Sequence, residues 1–249
     1  MQKTGKKEGV FLKILVDSHS HTIVSGHAYS TRTEMIQAAK KRGLEAIALT
    51  EHAPKMPGTC HEFYFQNYSV VPRMEDGLHI MMGAELNIMD EFGTVDLPLP
   101  VLKTLDLAIA SIHGPCYGES KSRELNTQAY LNVMKNPYIH IIGHPDDGRF
   151  PVDYEKLVRG ARETGTLLEL NNSSLRPGGF RMNTKENARE MLELCKKEGV
   201  YITTGSDAHI DADAGEFGCV EALLQETDFP EELIATTSYE KFHNLIKRK

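Results

Sequence analysis

The 249-residue chain has no CxxC pair, no long apolar run, no glycine-rich phosphate loop and no surplus of basic residues. Each absence narrows the field. The four cysteines, Cys60, Cys116, Cys195 and Cys219, lie far apart and read as free thiols in a reducing cytoplasm. No apolar stretch approaches the ~20 residues needed to span a bilayer. The first nine residues are polar, and the apolar run at 11–16 is too short to serve as a signal peptide. A cytoplasmic protein with no membrane partner is the expectation. Lys and Arg number 28 against 35 Asp and Glu, a formal net charge of −7. That balance argues against a general nucleic-acid binder, which normally presents a basic surface. No GxGxxG or GxxxxGK[ST] follows a strand-like run, and neither Ser111 nor Ser206 sits in a G-x-S-x-G elbow. No Pro/Gly/Ser-rich linker interrupts the chain, so residues 1–249 are expected to form one domain, with 1–10 as a flexible extension.

What is present is an ordinary globular mix, 40% apolar and 25% charged, long enough to bury a substantial core. Strand-like apolar runs alternate with helical patterns. The runs fall at 12–16, 46–49, 79–83, 107–112, 139–142, 166–170 and 200–203. Several are apolar at consecutive positions, as in strands covered on both faces. Between them, Thr31-x-x-Glu34 reads as a capping box. Asp153, Asn183 and Thr237 are expected to open further helices, and a weaker helical pattern covers 127–135. This alternation predicts a closed or nearly closed parallel α/β barrel, with an open doubly wound sheet as the structural alternative.

The informative feature is where the histidines fall. Seven of the eleven lie at, or within one loop of, the C-terminal end of a predicted strand. The first run leads into Asp17-Ser-His19-Ser-His21 and on to His27. Later runs end at Glu51-His52, Glu85, His113-Gly114, Gly143-His144-Pro145 and Ser206-Asp207-Ala-His209. In a parallel barrel these ends share one face, the one on which active sites are built. Side chains two apart on an extended strand point the same way, so His19 with His21, and Asp207 with His209, can each offer paired ligands. Seven imidazoles with Glu85 and Asp207 exceed the capacity of one ion and suit two or three. The donor set fits zinc, manganese or iron. Three divalent ions less two carboxylates leave about +4, a positive pocket in an acidic protein, suited to a small phosphorylated substrate. Closely spaced ions bind phosphoryl oxygens and generate hydroxide from water.

This ordered set of motifs (D-x-H-x-H, T-E-H, a lone Glu, I-H, G-H-P, S-D-A-H) resembles the PHP, or polymerase and histidinol phosphatase, superfamily. The stretch from His19 through Ser25-Gly-His27-Ala-Tyr29-Ser30-Thr31, with Asn171-Asn172-Ser173-Ser174, is similar to its YcdX-like branch. The resemblance implies a distorted TIM-like (βα)7 barrel, a trinuclear site that is usually zinc, phosphatase activity and a homo-oligomer, a trimer. It puts His19, His21, Glu85 and Asp207 on one ion. Glu85 would bridge to a second ion with His113 and His144, and His27, His52 and His209 would hold the third. Glu85 and Asp207 would act in catalysis through a metal-bound hydroxide that attacks phosphorus in line.

Asp17 is the candidate for orienting a ligand imidazole. Asn171, Asn172, Arg149, Arg176, Arg181 and Lys121 are candidate substrate contacts, and Tyr29 a candidate for the pocket mouth. His61, His79, His140 and His243 read as structural, and Cys60 and Cys116 as incidental thiols. Asp146-Asp147 reads as a turn. Phosphomonoester hydrolysis is the favoured activity. The rivals are a phosphodiesterase or nuclease using the same metals, which the acidic charge disfavours, and a metal-binding domain without turnover.

Overall fold

Side chains two apart on a strand share a face, and along the inward faces of these strands the chemistry changes halfway. Apolar residues occupy the first half: Ala46 and Ala48, Met81, Leu107 and Ile109, Ile141, and Leu167. Polar residues follow in the same registers: His52, Glu85 and Asn87, Ser111 and Glu169, all buried. A computed structural model, which describes residues 12–247, shows the result. The strands are β1 (Val16–Ser20), β2 (Ala46–His52), β3 (Met74–Glu75), β4 (Leu78–Asn87), β5 (Leu107–Ser111), β6 (Ile141–Ile142), β7 (Leu167–Asn171) and β8 (Ile202–Gly205). Seven run parallel in the order β1-β2-β4-β5-β6-β7-β8, and β3 pairs antiparallel with β4. The expected extension at 1–10 lies outside the described residues.

The barrel is nearly closed, and its seam is irregular. At the C-terminal end, backbone bonds join β1 to the chain after β8, His21 N to Ala208 O and Asp207 N to His19 O. At the other end a late segment wedges into the seam, with Leu15 N bonded to Thr236 O and Ile202 bridged to Ile234. The helix Tyr239–Ile246 then plugs the bottom with Phe242, Leu245 and Ile246, which pack against the apolar half of the interior. A larger apolar layer lies between the strands and the outer helices. None of the described helices is long and apolar enough to cross a membrane. The four cysteines are free thiols.

Boundaries differ from expectation where polar residues lie inside strands. The first predicted run, 12–16, only touches the start of β1; β1 itself holds Asp17 to Ser20, and β4 extends through Glu85 to Asn87. The capping box at Thr31 and Glu34 forms, and Asp153 accepts from Lys156 N as expected. Asn183 precedes its helix in a left-handed conformation with no capping bond from its side chain. The last helix is capped by Ser238 rather than Thr237, and the helix expected at 127–135 runs Arg123–Val133 with Ser122 as its cap. The β3–β4 hairpin turns on Asp76-Gly77, both at positive φ, a turn dipeptide that suits this geometry.

Candidate metal centre

Glu85, 1% exposed, is the hub of the polar end. Its Oε1 stands 3.1 Å from His113 Nε2 and 2.9 Å from His144 Nε2. Its Oε2 stands 2.8 Å from His52 Nδ1, 3.4 Å from His19 Nε2 and 3.5 Å from His21 Nε2. One carboxylate therefore faces five imidazoles, with its two oxygens turned to different groups. Asp207 Oδ1 lies 3.3 Å from His21 Nε2 and 3.7 Å from His19 Nε2. Nearer the surface, His27 Nε2 is 3.2 Å from both His52 Nε2 and His209 Nε2. All nine expected ligands thus meet in one volume.

The donor set is suited to cations. Two nitrogens bound to one tetrahedral zinc at about 2.0–2.1 Å stand about 3.3 Å apart. His19 and His21 present their Nε2 atoms 3.1 Å apart. In four of the histidines the other ring nitrogen is already engaged by an acceptor. His19 Nδ1 meets Glu169 Oε1 at 2.7 Å, and His113 Nδ1 meets Asn87 Oδ1 at 2.7 Å. His21 Nδ1 meets Ser25 Oγ at 3.1 Å, and His209 Nδ1 meets the Asp207 carbonyl at 3.0 Å. A proton held on Nδ1 leaves the Nε2 lone pair free to bind a metal. His52 Nδ1 and Glu85 Oε2 are buried without hydrogen-bond partners, although they face each other. A proton on His52 Nδ1 or a cation beside the two atoms would satisfy both.

The electrostatics favour metal-binding forms at four of these groups and oppose them at His19. At His19 burial disfavours the charge, but Glu169, Glu85 and Asp207 raise the imidazole well above its ordinary value. Burial opposes the charge on Glu85, yet His113, His19 and His52 hold its carboxyl well below the usual range. Burial likewise opposes charge on Asp207, and His19 and Arg181 keep it well below. Burial, with His52 and His209 alongside, lowers His21 well below the ordinary imidazole value and His27 to about 4. Neutral imidazoles and ionised carboxylates are the forms that ligate metals.

The backbone is bent to serve this geometry. Pairing with β2 advances two residues, Ile47 to Leu49, while β1 advances three, Asp17 to Ser20. A bulge of this kind re-aims side chains. His144 at φ 28 and Asp207 at φ 53 occupy the left-handed region, so Asp207 and His209 do not share a face by simple strand alternation. Non-glycine residues there cost of order 1–3 kcal/mol and persist only where surroundings enforce them.

Glu169 is the principal residue that the expectations missed. Its Oε1 holds the His19 ring, and its Oε2 accepts from His144 N at 2.7 Å and Asn171 Nδ2 at 3.1 Å. The signal was a lone acid in the apolar run Leu167-Leu168-Glu169-Leu170. Asp17, expected to orient an imidazole, instead accepts from Ser206 N, Ser206 Oγ and Gly215 N, tying β1 to the loop after β8. Glu51, also missed, accepts from Thr22 and Ser25, which in turn supports His21. Replacing Glu169 by alanine is expected to weaken metal binding about 10–100-fold while the barrel stays folded. Zinc titration against a chelator reads this, and an unchanged affinity would remove Glu169 from its role.

The polar end opens into a cavity of about 660 Å³. His27, His52, His113, His144, Asp207 and His209 reach its wall, as do Arg149, Arg181, Phe180, Met56, Pro57, Pro115 and Asp213. Of the expected substrate contacts, Arg149 and Arg181 are there. Asn171 lies beneath, bonded to Asp207 Oδ2 and Ser174 N. Asn172 is turned away, its side-chain Oδ1 accepting from Cys219 N and Val220 N at the start of a helix. Arg176 sits behind Asp213, and Lys121 is paired with Glu91. Tyr29 is 78% exposed and absent from the wall. Cys60 and Cys116 also lie off the wall, and burial pushes both thiols up to about 11, away from thiolate chemistry.

Residues 17–202 match the PHP domain family. A "probable phosphatase" of Acetivibrio thermocellus is 46% identical over 238 residues, covering 96% of this chain and 97% of that protein. One from Caldicellulosiruptor bescii is 45% identical over 232 residues, covering 93% and 95%. Among solved structures, histidinol phosphate phosphatase from Lactococcus lactis, complexed with zinc, L-histidinol and phosphate, shares the fold. Its TM-score is 0.60 at 20% identity, with 87% of this chain and 95% of that one covered. A chain of archaeal ribonuclease P with mature tRNA gives 0.57 at 15%, covering 92% and 90%. The barrel, the converging histidines and acids, and the match across most of the sequence lead to one conclusion: the chain belongs to the PHP domain family.

Proposed function

We propose that this chain hydrolyses phosphomonoesters of small molecules at a centre of three zinc ions. Family membership and relatives bearing the name probable phosphatase make it a hydrolase of the phosphatase kind. The trinuclear centre and the monoester preference are the further steps. The observation that supports the polynuclear centre is the two-faced environment of Glu85, with His113 and His144 at one oxygen and His19, His21 and His52 at the other. The net charge of −7 favours a small phosphomonoester over a nucleic-acid diester.

The allotment is the one that the family resemblance implies. His19, His21, Asp207 and Glu85 would hold one ion, and Glu85, His113 and His144 a second. His27, His52 and His209, at the cavity, would hold the third. Bound there, zinc would supply Lewis acidity, drawing in phosphoryl oxygens, stabilising the leaving oxygen and acidifying water. Glu85 and Asp207 serve the reaction by fixing that charge in place. Glu169 and Asn87 fix two of the rings. Arg181, 9% exposed in its side chain, turns Nη2 to Asp207 Oδ2 at 3.1 Å and lines the cavity beside it. The zinc in the Lactococcus lactis neighbour supports the choice of metal. Manganese or iron would suit the same donors.

Elemental analysis with a panel of phosphate esters tests the reading. About three zinc ions per chain, and hydrolysis of monoesters abolished by chelator and restored by zinc, are expected. Preferential cleavage of single-stranded DNA would reverse the choice toward a nuclease. Full metal occupancy with no hydrolysis of any ester would indicate a binding domain. The homotrimer suggested by the family is checked by sedimentation of the same preparation.

A further inference from the structure

We propose that the cavity mouth selects substrates bearing a single phosphate on an uncharged, partly apolar body, and that Asp147 enforces this by neutralising Arg149. The proposal rests on the phosphatase reading and adds a substrate class to it.

Guanidinium groups at an active-site mouth ordinarily invite a second anionic group. Here each already holds an acid of its own. Arg149 Nε lies 3.0 and 2.9 Å from the two oxygens of Asp147, and its Nη2 lies 2.5 Å from Oδ2. Asp147 is 4% exposed while the Arg149 side chain is 34% exposed, so the acid is held from below and the guanidinium it neutralises reaches the mouth. Arg176 forks onto both oxygens of Asp213 at 2.7 and 2.9 Å, leaving Asp213 on the wall. Arg181 is engaged by Asp207 Oδ2, Ser174 Oγ and Asn171 Oδ1. Outside the metal centre, then, the mouth is formed by compensated pairs.

A compensated pair presents a dipole, and its attraction for an anion falls off faster than that of a free cation. A second phosphate brings about −1.5 to −2 charges at neutral pH. Placed in this mouth, it would lose hydration, find no uncompensated cation, and lie close to Asp147 and Asp213. Desolvation of a charge without a matching partner is unfavourable. An uncharged body meets a different wall. The Phe180 ring, 70% exposed, lies under Arg149 at 4.6 Å and Arg181 at 5.3 Å. Met56, Pro57 and Pro115 complete an apolar surface. Selectivity of this kind works by penalising the wrong ligand as well as by fitting the right one.

The test compares n-hexyl phosphate with 1,6-hexanediol bisphosphate, which differ by one phosphate, on the zinc-loaded protein. The native protein should favour the monophosphate in kcat/KM by about tenfold or more. Asp147→Asn keeps the shape of the side chain but frees the charge of Arg149. It should lower KM for the bisphosphate about tenfold and change the monophosphate values less than about threefold. Asp147→Asn combined with Arg149→Gln should return the ratio to the native one. A native preference for the bisphosphate, or an unchanged ratio in folded Asp147→Asn, overturns the proposal while the phosphatase reading stands. Hydrolysis of neither ester overturns that reading and the selectivity with it.

Discussion

Replacing Glu85 by glutamine is expected to deplete two metal positions together and to lower phosphatase kcat/KM by about a thousandfold or more. The geometry explains why the effect is joint. Oε1 faces His113 and His144, and Oε2 faces His19, His21 and His52. Glutamine keeps the shape but replaces one of these oxygens with an NH2 group. On the proposed reading, that group would point donors at ring nitrogens whose lone pairs serve the metal, and the charge proposed to bridge two ions is lost. Ser111 Oγ, which donates to Glu85 Oε1 at 2.7 Å, can still bond an amide oxygen, so the barrel has little reason to unfold. Zinc content per chain and ester turnover, measured on the same folded preparation, decide the matter. A full native complement of zinc would mean that Glu85 bridges nothing.

Gly205→Ala should weaken metal binding without removing a single proposed ligand. A Cβ at this position would stand 2.3 Å from Glu169 Oε1 and 2.5 Å from His19 Cβ. Neither neighbour can give way cheaply. Glu169 is fixed by the His19 ring, His144 N and Asn171 Nδ2 at once, and His19 is pinned through its backbone to Asp207 N. Overpacking at a site of this kind costs about 1–3 kcal/mol. Displacement of His19 and His144 should lower zinc affinity at least about tenfold. Thermal melting with and without zinc reads both effects. Native melting and native zinc retention would show that the crowding relaxes harmlessly.

The convergence of these histidines and acids was legible for a chemical reason. Histidine and acid at the end of apolar runs are expensive residues to bury, and their order along the chain needed only a parallel barrel to bring them together. The strand limits were less legible because that same polarity disguises the strands. Apolar runs stop where the inward face turns from Ala48 and Met81 to His52 and Glu85, although the backbone pairing continues through those residues. Partners of the ligands were harder still. Asp17 and Glu169 are both acids in strands, and nothing local shows that Glu169 reaches a ring while Asp17 reaches the amides of Ser206 and Gly215. The charge state of the mouth was also hidden. Arg149 and Arg176 read as candidate substrate contacts, and nothing local shows Asp147 and Asp213 placed against them. In the same way, the stacking of His79 on Tyr239 gives a concrete place to a histidine read only as structural.

The wedge of residues 234–236 in the seam has a bearing on how the protein is made. Leu15 is among the first described residues, and its backbone amide waits for Thr236. A ribosome delivers these segments in order, so the cylinder cannot shut until Thr236 has emerged. The converging set of histidines and acids follows the same timetable, since its first member is His19 and its last His209. Contacts so distant in sequence are slow to form, because the loop between them must be closed before any energy is recovered. An early, half-built sheet would hold several exposed imidazoles near one another but lack Asp207 and His209. Zinc captured at that point could be misplaced, and free zinc during refolding should therefore slow recovery of activity rather than speed it.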